Sequence, residues 1–232
     1  MTVSFPNVEN AMLKNALPVF FAAALLIDMA ACSSSGPAAG STPSSTTLLK
    51  DAESAFASAS SVKMSGVVPH NGRGYAVNLA MFRSGDMSGT IGEGAIKVAL
   101  TIVHGTAYEY VSKKFFSEIR QVQSIPASAC AVICGKYVKI PTGQYRTFNL
   151  ASIARLFNSK MPKGNATVKV TNFAGQPAYE LTEPDGSQAF IAKQGTHYLL
   201  AVHASKKATV TFTEWNSVPA ITAPPTSKIV RS

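Results

Sequence analysis

From Val62 to Trp215 most of the chain repeats every second residue, with short polar turns between the runs, and no other feature restricts the fold as strongly. Tyr75, Val77, Leu79 and Met81 alternate with Ala76, Asn78 and Ala80, while Ile96, Val98, Leu100 and Ile102 alternate with Lys97, Ala99 and Thr101. Successive strand side chains point to opposite faces, so runs of this kind are half-buried strands with one apolar side. The breaks at Asn71-Gly72, Ser84-Gly85-Asp86, Gly92-Glu93-Gly94 and Gly105 are too short for crossover helices. Neighbouring strands must therefore run antiparallel. A second meander begins at Val168 and Val170, turns at Gly175-Gln176-Pro177 toward Tyr179 and Leu181, and turns again at Pro184-Asp185-Gly186. Gln188–Ala192, Tyr198–His203 and Ala208–Trp215 complete it.

A sheet with one apolar face needs a cover. Thr47 to Ser61 reads as a helix whose stripe is Leu49, Ala52, Phe56 and Ala59, small enough to lie close to a sheet. Asn149 can cap a second helix through Phe157, with Leu150, Ile153, Ala154 and Phe157 on one face. Phe115–Val122 is a shorter candidate, in a stretch otherwise broken by Pro126, Gly135 and Pro141. Two or three helices and about nine strands predict one α+β domain over residues 47–217. At about 170 residues it can bury a sizeable core. The Pro-containing segment 218–232 reads as a wandering C-terminal tail.

Upstream of the domain, Ala16 to Ile27 is an apolar run of twelve residues. That is short of the roughly 20 needed to span a bilayer but suits a signal-peptide core of about 7–15. Ala30 and Ala31 stand directly before Cys32, in the manner of a bacterial lipobox. The reading is a signal peptide over 1–31, a lipid-carrying Cys32, and a Ser/Gly/Pro/Ala tether over 32–46 that lacks the apolar content to fold. Asp28, Met29 in place of the usual Leu, and an acidic Glu9 depart from the pattern; Met12-Leu13-Lys14 offers an alternative basic start. Plain secretion, or anchoring by the apolar run itself, are the competing readings. The expected location is the extracytoplasmic face of the cell membrane.

Removal of residues 1–31 takes away one Lys and two acids, which raises the formal net charge from +9 to +10. Export argues against nucleic acid as the partner, and no cation block exceeds Lys113-Lys114 or Lys206-Lys207. An anionic membrane or glycolipid suits the charge better, at about 1 kcal/mol per nearby Lys or Arg; simple solubility is the alternative. With Cys32 taken by lipid, Cys130 and Cys134 remain for a disulfide in an oxidising compartment, two buried thiols being the alternative. No metal ligand set and no cofactor motif is visible. Ser60-Ser61-Val62-Lys63 has S-x-x-K spacing without its companion motifs, and no G-x-S-x-G elbow occurs. His70, His104, His197 and His203 lie near turns or strand ends without evident carboxylate partners. The chain is expected not to be an enzyme.

Seven stretches are similar to the LolA-like lipoprotein-carrier superfamily, in particular to the LppX/LprG-type envelope lipoproteins of actinobacteria. They are Ala57–Val62 (ASASSV), Ser84–Gly89 (SGDMSG), Gly135–Pro141 (GKYVKIP), Gly175–Leu181 (GQPAYEL), Asp185-Gly186, Phe212–Trp215 (FTEW) and Ala223-Pro224-Pro225. The resemblance covers about residues 46–225. It implies a strongly curved antiparallel half-barrel wrapped around helices, with an apolar space for acyl chains, and a monomer whose ligand is a lipid or glycolipid. The candidate lining residues are Phe56, Val77, Leu79, Met81, Val98, Leu100, Ile102, Tyr108, Tyr110, Ile153, Phe157, Tyr179, Leu181, Leu200 and Phe212. An interaction module with a solid interior is the competing function. Two acyl chains anchor stably where one is marginal. Cys32→Ala should therefore move the protein from the detergent phase to the aqueous phase in a phase-partition assay, and unchanged partitioning would exclude a lipid on Cys32.

Overall fold

The computed structural model describes residues 42–70, 73–94, 96–123, 125–142, 149–154, 165–204 and 208–230. The leader, Cys32, most of the tether and Phe157 lie outside them. The first element is helix α1 (Ser45–Ser58). Ser44 caps it by accepting from the Thr47 amide at 3.2 Å, which satisfies one of the four amide donors a helix start leaves open. At its other end Arg83 reaches across and donates to the carbonyls of Ala57 and Ala59, the latter at 2.7 Å and 2.9 Å. A cation at this end also complements the helix dipole. The buried stripe is Leu48, Ala52, Ala55 and Phe56, so Leu48 rather than Leu49 leads it.

Five antiparallel strands follow: β1 (Ser61–His70), β2 (Arg73–Phe82), β3 (Met87–Glu93), β4 (Ile96–Val103) and β5 (Thr106–Val111). Helices α2 (Lys113–Gln123) and α3 (Ala129–Ile133) precede β6 (Lys136–Ile140). Residues 150–154 are helical, and Asn149 caps them by accepting from the Ser152 amide at 2.8 Å, as its position predicts. The second meander is β7 (Thr167–Phe173), β8 (Gln176–Thr182), β9 (Gln188–Ala192), β10 (Leu199–Ala204) and β11 (Ala208–Thr213). Cys130 and Cys134 are joined by a disulfide that spans α3.

All eleven strands form one open sheet, ordered β6-β5-β4-β3-β2-β1-β11-β10-β9-β8-β7. Each meander pairs strand by strand, and the two are joined where β1 meets β11, from Lys63↔Thr213 to Val67↔Thr209. β5 and β8 are eight strands apart, about 38 Å on a flat sheet at ~4.8 Å per strand. Side chains from both, Ala107 and Leu181, nevertheless belong to one buried cluster beneath α1 and residues 150–154. A helix is only about 10 Å across. The sheet must therefore curl around its cover.

Two mid-strand glycines mark where it does so. Gly66 (φ +143°) and Gly89 (φ +142°) sit on the concave side, and a Cβ there would fall 2.0 Å from Thr209 O and 1.9 Å from Asn78 O. Such glycines let neighbouring backbones close up and a sheet bend. The tail does not wander over its described length. The Val218 amide donates to Ser61 Oγ at 3.3 Å, and Ile229 forms a parallel bridge with Tyr137, followed by Val230 N–H to Tyr137 O at 2.8 Å. An unpaired sheet edge offers donors and acceptors that a tail can satisfy. Gly89→Ala should destabilise the protein by roughly 2 kcal/mol or more in chemical unfolding, since it adds a clash to a backbone conformation reserved for glycine.

Candidate functional site

The concave face is built from ladders in which paired residues share a side. One row runs Phe212, Met64, Leu79, Gly89, Leu100, Glu109 and Val138. A parallel row runs Val62, Met81, Met87, Ile102, Ala107 and Ile140. Across the join, Val168, Leu181 and Ala189 form one row, and Val170, Tyr179, Ile191 and Leu199 the next. Ten of the expected lining residues, Phe56, Val77, Leu79, Met81, Leu100, Ile102, Ile153, Tyr179, Leu181 and Phe212, meet in this one cluster.

Four others do not. Tyr108 and Tyr110 pair with Thr101 and Ala99, on the face opposite Leu100 and Ile102, where the Tyr110 ring lies 5.1 Å from that of Tyr137. Leu200 sits at a bulge between Leu199 and Ala201, which turns it into a separate cluster with Phe190 and Ala178 on the outer face. Val98 keeps to the concave side but packs with Val111, Phe115 and Ile119 under α2 rather than under α1. Phe157 lies outside the described residues.

What the tyrosines vacate, Glu109 takes. It is 4% exposed and is the only charged side chain buried among the described residues. Its neighbours in the row are Leu100 and Val138. Burial in this apolar setting pushes its carboxyl from an ordinary 4.5 up to about 7, because desolvation penalises the ionised form. A protonated carboxyl offers one donor and one acceptor; an ionised one only accepts. Both forms are therefore accessible near neutral pH.

One side of α1 is held by aromatic contacts and the other by a polar pair. Phe56 meets Phe212 and Trp215 edge-on at 5.6 Å and 5.0 Å, and Trp215 stacks on Tyr198 at 4.8 Å. On the opposite flank His197 Nδ1 lies 2.8 Å from Asp51 Oδ2, with the Tyr179 ring T-shaped against the imidazole. His197 thus has a carboxylate partner that its sequence neighbourhood did not reveal, 146 positions away. Half-exposed, the pair is worth at most about 1 kcal/mol. Ser60 and Lys63 of the S-x-x-K stretch turn to different partners, Asn216 and Glu214. Among the described residues, no three His, Cys, Asp or Glu side chains are grouped to hold a metal.

At the β7 margin Val170, in the row of Tyr179 and Ile191, is 45% exposed.

No family model matches the chain, and no curated protein matches it in sequence. Among solved structures the fold resembles the Mycobacterium tuberculosis lipoprotein LppX, with TM-score 0.43, 10% identity, and 76% of this chain and 97% of that one covered. It also resembles a chain of the Pseudomonas aeruginosa MucA/MucB complex (TM-score 0.30, 14% identity, 81% and 60% covered). A LolA superfamily protein from Nitrosomonas europaea follows (TM-score 0.26, 8% identity, 78% and 96% covered).

Glu109 fixes a pH signature. Between pH 4.5 and about 7 the folded chain keeps a proton that the unfolded chain has lost. Stability should therefore fall as pH rises through that window and level off above it. Comparison of unfolding free energies with those of Glu109→Gln should show the variant gaining on the parent by roughly 3 kcal/mol across the window, at ~1.36 kcal/mol per pKa unit. Parallel pH profiles for the two proteins would mean that the carboxyl is solvated.

Proposed function

We propose that the chain is an exported, membrane-tethered protein that takes up the acyl chains of a lipid or lipoglycan on the concave side of its sheet and shields them from water in transit across the cell envelope. One observation carries the reading: the central ladders of the concave face are apolar, and a single carboxyl is buried among them. Ligand sites are concave and mostly apolar, with few polar groups to set orientation. Rows of Leu, Ile, Val and Met suit hydrocarbon, and Glu109 would meet a hydroxyl, amide or ester group near its end. The exposed Val170 at the β7 margin supports entry from that side. Transfer of apolar surface out of water, at about 0.8 kcal/mol per CH₂, supplies the affinity. The role is non-covalent, and no reaction is assigned to the chain.

Attachment through Cys32 belongs to the same proposal. The leader pattern supports it, and no helix among the described residues is long and apolar enough to cross a membrane.

The full protein, purified without delipidation, should release acyl lipids into organic solvent for mass spectrometry. After delipidation it should take up a fluorescent fatty acid saturably, and Leu100→Asp, which places a charge beside Glu109 in the same row, should abolish the uptake. Folded protein that shows neither bound lipid nor saturable uptake has a solid interior, and the interaction-module reading then replaces this one.

A further inference from the structure

Six of the 21 cations lie on neighbouring elements. Lys97 opens β4, Lys113 and Lys114 open α2, Arg120 lies on its exposed side, Lys136 opens β6, and Lys228 precedes the bridge that ties the tail to that strand. Lys113, Lys114, Arg120, Lys136 and Lys228 lie on elements that share the cluster of Val111, Phe115, Phe116, Ile119, Ile133 and Val230, and Lys97 lies at the same end of the strands on the opposite face. Among the described side chains of these elements Glu118 is the one carboxylate, and Glu93 ends the neighbouring β3.

The same end carries an apolar tip. Val132 on α3 is 56% exposed, and Ala131 beside it is exposed as well. Ile96, next to Lys97, is another of the four large apolar side chains left exposed among the described residues. The Cys130–Cys134 bond spans α3 and keeps Val132 facing outward while Ile133 turns into the cluster. The Gly135 amide, donating to Val111 O at 2.8 Å, then binds this knuckle to the end of β5.

The geometry points to this end as a docking surface for an anionic lipid bilayer, with the lysines over the headgroups and the α3 knuckle entering the interface. Cations beside an anionic bilayer each contribute attraction within a Debye length, and apolar side chains among them add shallow burial. A protruding valine offers a protein partner no pocket-filling anchor, whereas a lipid surface accommodates it. With the anchor proposed at Cys32, the twelve residues to Ser44 reach up to about 40 Å. An anchor of that reach leaves the choice of face to the surface of the domain itself. The inference does not require acyl chains inside the sheet, so the two proposals fail separately.

The test uses the full chain carrying Val132→Trp, bound to phosphatidylcholine vesicles with and without phosphatidylglycerol, both with brominated acyl chains. Relative to the parent, the added tryptophan should be quenched and blue-shifted with phosphatidylglycerol only, and the effect should vanish at high salt. Lys113→Glu with Lys114→Glu should weaken it roughly tenfold or more. Ser84→Trp, in the exposed β2–β3 turn at the opposite end of these strands, should stay unquenched. On the unsubstituted chain, amide exchange over residues 113–136 should slow with the same vesicles. Equal quenching at positions 132 and 84, indifference to phosphatidylglycerol, or protection of this end by an acidic polypeptide but not by vesicles would each overturn the assignment.

Discussion

The pairing of β1 with β11 holds the two meanders together. Every other strand pair in the sheet is a hairpin neighbour, closed across a short turn or, for β5 and β6, across the α2–α3 segment. β1 and β11 instead bring together residues about 150 positions apart. Their seam is reinforced on both faces. On the convex side Ser65 Oγ lies 2.8 Å from Thr211 Oγ1, and Lys63 lies 3.0 Å from Glu214. On the concave side Met64 opposes Phe212, which meets Phe56 of α1. Asn216, in a left-handed conformation (φ +57°), binds the Ser60 amide, the Ser61 carbonyl and the Tyr198 hydroxyl. Non-local pairings must offset loop-closure entropy before they stabilise anything. The aromatic and polar contacts gathered at this one seam do so, and α1 is placed over the concave face by the same set.

Once the seam is made, Glu109 stands against the general rule that charges stay in water. It sits between Leu100 and Val138, where a hydrophobic residue would be favoured for stability alone. A fold that retains such a group gives up stability in its neutral-pH state. Binding sites commonly make that trade, since a desolvated polar group in an apolar wall distinguishes one ligand end from the other.

Much of this was legible in the chain. The alternation of Val77 to Met81 and of Leu100 to Ile102, the caps at Asn149 and the turns at Gly105 and Asp185-Gly186 all behave as local chemistry dictates. On β5 the alternation of Tyr108 and Tyr110 about Glu109 favours the tyrosines as the inward pair, yet the structure turns them outward. The hairpin held the answer: His104 and Gly105 both have positive φ, a two-residue turn that pairs Val103 with Thr106 and so Leu100 with Glu109. Register, set by the turn, outranks hydrophobicity of the strand. Leu200 could not have been placed, since a bulge leaves no periodic mark. Nor could His197 with Asp51, a contact made only by the tertiary fold. β6 was passed over because Lys136 and Lys139 dilute a five-residue strand.

The bridge between Ile229 and Tyr137 has an effect beyond tidying a terminus. β6 and β7 are the first and last staves of the sheet, and an ordinary barrel would close by joining them. Tyr137 already gives its outward carbonyl to Val230, so the last stave finds that rim occupied. The chain's own end thus covers one edge of the open sheet, and that cover belongs to the covalent sequence rather than to any passing fluctuation.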